Sequence, residues 1–238
     1  MKETIYTIPI TDAFSAQCNC PICLFEKEQE AHLIEYTLGA SMMEPDERQR
    51  SNAVGYCRSH YQMLLENPNK LSLALVLESH MEVLRGKMEQ MKNGLKPGKS
   101  LFQRGESKQS AAAAGEALQA ECSACLICQK LSAIMDKFMD NLFYLYRSDL
   151  AFQTLFWGAK GFCLPHTARL LESAARNLSG DAAYAFSQKL LERQADYLTQ
   201  TQGDVNWFTK KFDYRYQNED WKNAKDAVPR AVSLLSGE

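Results

Sequence analysis

Residues 55–60 read Gly55-Tyr56-Cys57-Arg58-Ser59-His60, and residues 161–166 read Gly161-Phe162-Cys163-Leu164-Pro165-His166. Each stretch follows a Cys-x2-Cys pair, which is Cys20-Pro21-Ile22-Cys23 for the first and Cys125-Leu126-Ile127-Cys128 for the second. The segments that separate each pair from its stretch differ by a single residue in length. Because order, spacing and the Gly-aromatic dipeptide all recur, the sequence predicts an internal duplication.

The recurring residues are of the types that bind a structural metal ion. A Cys-x2-Cys pair directs two thiolates at one ion, and a second pair completes a closed tetrahedral site. The second pair here is Cys-x2-His, and residues three apart on a helix project from the same face. A helix N-terminus also favours thiolate over thiol. The sequence therefore predicts two zinc sites, one in each half: Cys20, Cys23, Cys57 and His60 in the first, and Cys125, Cys128, Cys163 and His166 in the second.

Other interpretations of the cysteines remain open at this stage. A single Cys-x2-Cys pair is also typical of thiol redox proteins, although that motif belongs beside a βαβ unit and none is visible. Free cysteines can pack as small hydrophobic residues without a metal. Iron–sulfur clusters are a further possibility, since Cys18 and Cys122 extend the two pairs to triplets of cysteines. In the zinc interpretation these two cysteines are spare, either incidental or able to exchange with a ligand sulfur on oxidation.

The segments around the ligand pairs predict an all-α fold. Apolar residues recur at helical spacing after Cys23 and after Cys128, and Gly39, Pro45 and Asp149 mark breaks and new helix starts. We therefore predict an internally duplicated helical bundle, each half stapled by a Cys3His metal site. The predicted divisions are a first half at 1–92, a mobile linker at 93–110, a second half at 111–203 and an aromatic-rich C-terminal segment at 204–238.

The C-terminal segment combines aromatic residues with balanced charge. Trp207, Phe208, Phe212 and Trp221 are expected to cap the helical core, with Lys and Arg stems covering them. The alternative is a recognition strip for a peptide or for single-stranded nucleic acid.

Composition narrows the class of partner and the compartment. The 238 residues are 45% hydrophobic and 24% charged, with a net charge of −2. This balance makes nucleic acid an unlikely partner, because such binders rely on excess Lys and Arg. No apolar run approaches a signal peptide or a membrane span. We therefore expect a cytoplasmic protein with no membrane association, whose thiols stay reduced.

Several stretches resemble an uncharacterised family of bacterial cytoplasmic proteins over essentially the whole chain. They are residues 6–10 (Tyr-Thr-Ile-Pro-Ile), Cys20-Pro21-Ile22-Cys23, Met43-Glu44-Pro45-Asp46, residues 161–166, and Lys211-Phe212-Asp213-Tyr214-Arg215. Some members of that family are labelled as solute-binding components of transporters, but this sequence has no export signal or lipobox to support such a role. The resemblance implies no known activity.

No catalytic motif accompanies the metal-ligand pattern. The sequence lacks a metalloprotease His-Glu-x-x-His, a nucleophile elbow and a dinucleotide fingerprint. Four protein ligands also leave no position for an activated water. We therefore expect a non-enzymatic zinc-binding scaffold that acts through protein partners, with two zinc ions as cofactors. The alternatives are a cytoplasmic thiol-redox or metal sensor, an iron–sulfur protein, and an enzyme whose active site lies between the halves.

Overall fold

The computed structural model describes residues 7–97 and 104–237. Within those ranges the chain forms eleven α-helices and one 3-10 helix and contains no β-strand, which confirms the predicted all-α class. The helices are α1 Ile8–Ser15, α2 Pro21–Leu38, α3 Pro45–Val54, α4 Arg58–Glu66, α5 Lys70–Gly94, α6 Arg104–Ser123, α7 Leu126–Ser148, α8 Leu150–Gly158, α9 Leu164–Asn177, α10 Gly180–Lys210 and α11 Ala227–Ser236, with the 3-10 helix at Ala40–Met43.

Local sequence signals set several of the helix ends. The helix α2 ends at Leu38, just before Gly39, and α3 begins at Pro45, whose fixed φ suits the first turn. Asp149 caps α8, because its carboxylate accepts hydrogen bonds from the backbone N–H groups of Ala151 and Phe152. The predicted breaks at these positions are therefore found in the structure.

The chain divides into two compact units whose boundaries differ from the predicted halves. Unit 1 comprises Met1–Glu28 and Ile134–Glu238, and unit 2 comprises Gln29–Ala133. Both boundaries fall inside helices, α2 and α7, so neither coincides with the predicted linker at 93–110. In addition, α6 begins at Arg104, so the last part of that predicted linker is helical, while residues 98–103 lie outside the described ranges.

The core of unit 1 is built from aromatic rings. Phe14 of α1 packs on Phe156 of α8 with ring centroids 5.4 Å apart, and Phe156 contacts Phe162 at 5.2 Å and Phe186 at 5.6 Å. Each such ring buries a large apolar area, and offset or edge-on contacts add to that stabilisation. Because Phe162 immediately precedes Cys163, this packed core fixes the position of the second ligand pair.

The core of unit 2 is mostly aliphatic and contains part of the metal-ligand pattern. Leu38, Leu64, Leu73 and Val76 pack together, and Cys125 belongs to the same buried cluster, whose other buried members are Ile34, Tyr56 and Ile127. A backbone hydrogen bond of 3.0 Å from Leu126 N–H to the carbonyl of Gly55 fixes the start of α7 beside the residues that precede α4.

The C-terminal segment differs in part from its prediction. Trp207 and Phe208 lie on the last turn of α10 and are half-buried, as is Trp221. Phe212, however, is 72% exposed, so the prediction that it caps the core is wrong. The turn after α10 is instead held by Lys211, which is buried and whose Nζ donates hydrogen bonds to three backbone carbonyls, those of Tyr216, Gln217 and Glu219.

Candidate metal centres

All four ligand pairs occupy the same position relative to a helix. Cys57 and Cys163 are the N-cap residues of α4 and α9, and His60 and His166 stand three residues later. The Cys-x2-Cys pairs repeat this placement, since Cys20 directly precedes α2 and Cys125 directly precedes α7. Unpaired N–H groups and the helix dipole give each of these N-termini a partial positive charge. Every pair therefore lies where a thiolate is stabilised.

In unit 1, the structure gathers Cys20, Cys23, Cys163 and His166 into one buried set, here called the unit-1 centre. The Cys23 and Cys163 sulfurs are 3.5 Å apart, and those of Cys20 and Cys163 are 4.0 Å apart. Nδ1 of His166 lies 3.1 Å from the Cys163 sulfur, 3.3 Å from that of Cys23 and 3.7 Å from that of Cys20.

In unit 2, Cys57, His60, Cys125 and Cys128 form a second set, the unit-2 centre. The Cys57 and Cys128 sulfurs are 3.8 Å apart. Nδ1 of His60 lies 3.2 Å from the sulfurs of Cys57 and Cys125 and 3.4 Å from that of Cys128. This centre is less enclosed than the unit-1 centre, because Cys128 is exposed and Cys57 is partly exposed.

Both sets have the dimensions of a tetrahedral zinc site. With Zn–S about 2.3 Å and Zn–N about 2.0–2.1 Å, the edges of a regular tetrahedron are about 3.8 Å between sulfurs and about 3.6 Å between sulfur and nitrogen. The observed sulfur–sulfur separations of 3.5–4.0 Å scatter around the first value. The sulfur–nitrogen separations run from 3.1 to 3.7 Å, so most are a few tenths of an ångström shorter than the second value. Two Cys3His-type sets that can each hold a metal ion are therefore present, and each offers three sulfurs and one ring nitrogen.

The grouping of the pairs corrects the prediction that each half supplies a complete site. The first Cys-x2-Cys pair lies with the second Cys-x2-His pair, and the second Cys-x2-Cys pair lies with the first Cys-x2-His pair. The reason is the length of the helices between the pairs. The 18 residues of α2 span about 27 Å at about 1.5 Å per residue, and they pass from unit 1 into unit 2 before Cys57 is reached. The 23 residues of α7 separate Cys128 from Cys163 in the same way.

A carboxylate orients each histidine from outside the ligand set. Nε2 of His166 lies 3.1 Å from Oε2 of Glu26, and Nε2 of His60 lies 2.9 Å from Oε1 of Glu30. A ligand histidine commonly donates its second N–H in this way, which fixes the tautomer and strengthens the ring as a ligand. Both glutamates belong to α2, one turn apart, yet they support different centres. Nδ1 is thereby left as the ligand atom in both rings.

The electrostatics of the unit-1 centre favour positive charge among its ligands. Burial lowers the pKa of His166, but its hydrogen bonds raise that pKa by more than burial lowers it, so the net shift is upward. The partners in these hydrogen bonds are Cys163, Cys20, Cys23 and Glu26. The His166 hydrogen bond also holds the pKa of Glu26 below its ordinary value, against the opposing effect of burial. Electron-rich sulfur and oxygen atoms converge here, and a divalent cation matches that arrangement.

The thiols of the unit-2 centre differ in how readily they ionise. Burial raises the pKa of Cys57, but hydrogen bonds from the His60 backbone and side chain, and from the other two cysteines, lower it to about 7. Burial and its contacts with Cys125 and Cys57 instead raise the pKa of Cys128 to about 12. Without a cation the three thiolates repel one another, so a metal ion is the partner that lets all three ionise together.

The two recurring glycines make room for a ring beside each Cys-x2-His pair. A Cβ on Gly161 would lie 2.3 Å from Cδ1 of Tyr197, and one on Gly55 would lie 2.5 Å from Nε2 of His80. Gly55 also has φ +71°, a conformation that side chains other than glycine disfavour. Both rings come from the long helix that follows, α10 or α5. The two units thus share this local arrangement, while duplication of the whole half stays a hypothesis.

Comparison with known proteins places the chain in a family without an assigned role. A family model described as "Family of unknown function (DUF6062)" matches residues 1–238. The chain belongs to DUF6062. No curated protein and no solved structure matches it. The resemblance to an uncharacterised family is thereby confirmed, while its bacterial origin stays a prediction. Among the described residues of this DUF6062 chain, no helix is long and apolar enough to cross a membrane.

Several site features of the DUF6062 chain were missed or left open by the sequence pattern. Glu26 stands three residues after Cys23 and could have been recognised from that spacing, whereas nothing in the sequence links Glu30 with His60. Cys18 is partly exposed and Cys122 is exposed, and neither belongs to a ligand set. The cysteine triplets considered for iron–sulfur clusters therefore do not assemble as triplets.

Proposed function

We propose that this DUF6062 protein is a non-enzymatic helical scaffold in which one zinc ion holds together each of the two compact units, and that it acts in the cytoplasm through protein partners. The observation that carries the proposal is that each centre has a complete set of four protein ligands. Each has three sulfurs and one imidazole nitrogen at tetrahedral separations, which is typical of structural zinc and leaves no coordination position for a substrate or an activated water.

The chemistry of the donors supports zinc over an iron–sulfur cluster. Clusters are held mainly by four thiolates, and the histidine-containing type needs two histidines on one iron. Each centre here offers three thiolates and one histidine, and the flanking Cys18 and Cys122 lie outside the sets. A Cys3His tetrahedron is a common structural zinc site.

The topology of the ligands supports a structural role. The unit-1 centre joins residues up to 146 positions apart, and the unit-2 centre joins residues up to 71 apart. Each ion would therefore fix two helix N-termini that the chain brings together only through tertiary structure. Metal coordination contributes directly to folding free energy in such sites. A reducing compartment is proposed because all eight cysteines are free thiols in the structure.

The test is metal analysis followed by metal removal from the anaerobically purified full-length protein. We expect about two zinc ions per chain, one for each four-ligand set. Removal by a chelator under reducing conditions should greatly reduce helicity and thermal cooperativity, and re-addition of zinc should restore both. A brown protein that contains iron would rule out zinc as the metal in these centres. A chain that keeps its full helicity and unfolding temperature without metal would reject the structural role.

A thiol sensor is a second candidate, favoured by the exposure of the unit-2 centre. Hydrogen peroxide would oxidise the exposed Cys128 sulfur, which is a thiolate when the metal is bound, to a sulfenic acid, and the second peroxide oxygen would leave as hydroxide. The Cys57 thiolate, whose sulfur is 3.8 Å away, would then attack that sulfur and displace hydroxide. The resulting disulfide removes two ligands and releases the ion.

A peroxide titration with a chromogenic zinc chelator distinguishes the scaffold from the sensor. The scaffold predicts slow release that is the same in the Cys18→Ser/Cys122→Ser variant. Rapid release of one ion, reversed by a thiol reductant and accompanied by a Cys57–Cys128 disulfide in peptide mapping, would establish the sensor. Rapid release that disappears in the double variant would assign the same role to the two spare cysteines.

A further inference from the structure

The helices α5 and α6 of unit 2 lie side by side and run in opposite directions. Nζ of Lys87 donates to both carboxylate oxygens of Glu121, at 2.8 Å and 2.7 Å. Towards the other end of the two helices, the backbone N–H of Lys96 donates to Oγ of Ser110 at 3.1 Å. Because residue numbers rise along α5 as they fall along α6, these contacts fix an antiparallel register.

Most of this helix pair has no core. No described residue is buried at positions 81–94 of α5 or 105–123 of α6, and these two ranges are here called the open helix pair. The buried residues of α5 all lie in its first half, at Leu73, Val76 and His80. Helices in proteins are stabilised mainly by packing of an amphipathic face. The two helices do not bury such a face against each other, so the open helix pair lacks the packing that helices of this length need.

An exposed apolar stripe runs along the open helix pair. Met81, Met88 and Leu95 are spaced seven residues apart, which is close to two helical turns, so they share one side of α5. All three are exposed, and so is Leu118 of α6. Residues 111–114 of α6 are all alanine, whose small side chain lets a further helix approach closely. Methionine adapts readily to the shape of a partner surface, so this side of the pair has the composition of a helix-binding face.

The two ends of the pair differ in charge. Next to the connecting segment, residues 88–97 and 105–111 carry three lysines and two glutamates, and they are here called the basic end. Residues 78–87 and 112–123 carry four glutamates, one lysine and one arginine, and they are called the acidic end. A shallow depression of about 360 Å³ lies at the acidic end and is lined by Glu78, Met81, Glu82 and Arg85. An antiparallel copy of the pair would therefore set its basic end against this acidic end.

We propose that a second copy of this chain covers the open helix pair, so that two pairs form an antiparallel four-helix bundle with two-fold symmetry. The stripe is symmetric about Met88, so this arrangement packs it against its own symmetry mate. Four-helix bundles give such helices a shared core, and two-fold dimers are the commonest homo-oligomers.

The area of the open helix pair is sufficient for such a dimer. A face about 20 Å wide and about 25 Å long contributes about 500 Å² from each copy, so the total reaches the roughly 1,000 Å² expected of a specific interface. The inference deepens the scaffold proposal, because it identifies one of the protein partners as the chain itself.

Sedimentation of the full-length, zinc-loaded protein tests the dimer. We expect a mass that rises with concentration from 27.0 kDa towards twice that value. Met88→Glu should raise the dissociation constant at least about tenfold, because each dimer would bury two unpaired carboxylates. Met43→Glu is the matched control and should leave the dissociation constant unchanged, since Met43 is an exposed methionine of the same unit outside the open helix pair.

Charge reversal tests the antiparallel orientation. Lys92→Glu/Lys108→Glu makes the basic end acidic, and Glu82→Lys/Glu116→Lys makes the acidic end basic. Each double variant alone should dimerise at least about tenfold more weakly than the parent, and an equimolar mixture should recover the parent's affinity, since opposite charges again face each other.

Three results would each overturn the proposal: a parent that stays monomeric, a dimer that Met88→Glu leaves intact, or a mixture that dimerises as weakly as each charge variant alone. Zinc content should be the same in the parent and in all these variants, because none of the substituted residues is a metal ligand. A failure of the dimer is therefore distinct from a failure of the metal proposal.

Discussion

The carboxylates outside the ligand sets offer a specific perturbation of each metal centre. Glu26 and Glu30 lie one turn apart on α2, yet Glu26 contacts His166 and Glu30 contacts His60. Glu26→Gln should therefore weaken zinc binding at the unit-1 centre alone, and Glu30→Gln should weaken it at the unit-2 centre alone. Glu28→Gln, an exposed residue between them, is the matched control and should weaken neither.

The magnitude follows from what glutamine retains. Loss of an outer carboxylate generally lowers metal affinity about 10- to 100-fold, which corresponds to about 1.4 to 2.7 kcal/mol. Glutamine still offers a carbonyl oxygen that can accept the Nε2–H bond, so we expect a loss near the lower limit. The short contacts of 3.1 Å and 2.9 Å predict similar effects for the two residues.

The assay is competition for zinc with a chromogenic chelator in backgrounds that keep one centre. Cys57→Ser retains the unit-1 centre and Cys163→Ser retains the unit-2 centre. Glu26→Gln should lower affinity only in the first background, and Glu30→Gln only in the second. The reasoning is refuted if either glutamate affects both centres equally, or if the Glu28→Gln control weakens binding as much as they do.

Three further predictions concern metal release and packing. A chromogenic chelator should remove zinc in two phases of equal amplitude, followed by absorbance. The faster phase should come from the unit-2 centre, because Cys57 and Cys128 are accessible. A single phase would contradict this. Gly161→Ala places a Cβ against the Tyr197 ring and should lower the free energy of unfolding, measured in urea, by about 1–3 kcal/mol. A Cβ on Gly158 meets no atom, so Gly158→Ala should leave the free energy of unfolding unchanged. Lys211→Met should also lower the free energy of unfolding by about 1–3 kcal/mol, because three backbone carbonyls lose their charged donor. An unchanged urea midpoint would contradict this and show that water replaces the lysine.

The features that could be predicted from sequence are those set by neighbours along the chain. Gly39, Pro45 and Asp149 end or begin helices through their own backbone preferences, so the helix breaks around them follow from local sequence. The members of each ligand pair are equally local, because positions i and i+3 at a helix start converge whatever the rest of the chain does.

The features that could not be predicted depend on long-range packing. Two Cys-x2-Cys pairs and two Cys-x2-His pairs can combine in two ways, and spacing does not distinguish them. The combination depends on helices such as α2, which passes from unit 1 into unit 2 before the chain reaches Cys57. The exposure of Phe212 is a similar case, because its apolar character predicts burial while the turn anchored by Lys211 directs it outward.

Zinc content of paired ligand variants tests the crossed assembly of the two centres most directly. The full-length protein should contain about two zinc ions, Cys20→Ser/Cys163→Ser about one, and Cys20→Ser/Cys57→Ser about none, because the first double variant damages a single centre and the second damages both. If each half instead supplied its own site, the two double variants would exchange values, with about one ion retained in Cys20→Ser/Cys57→Ser and about none in Cys20→Ser/Cys163→Ser.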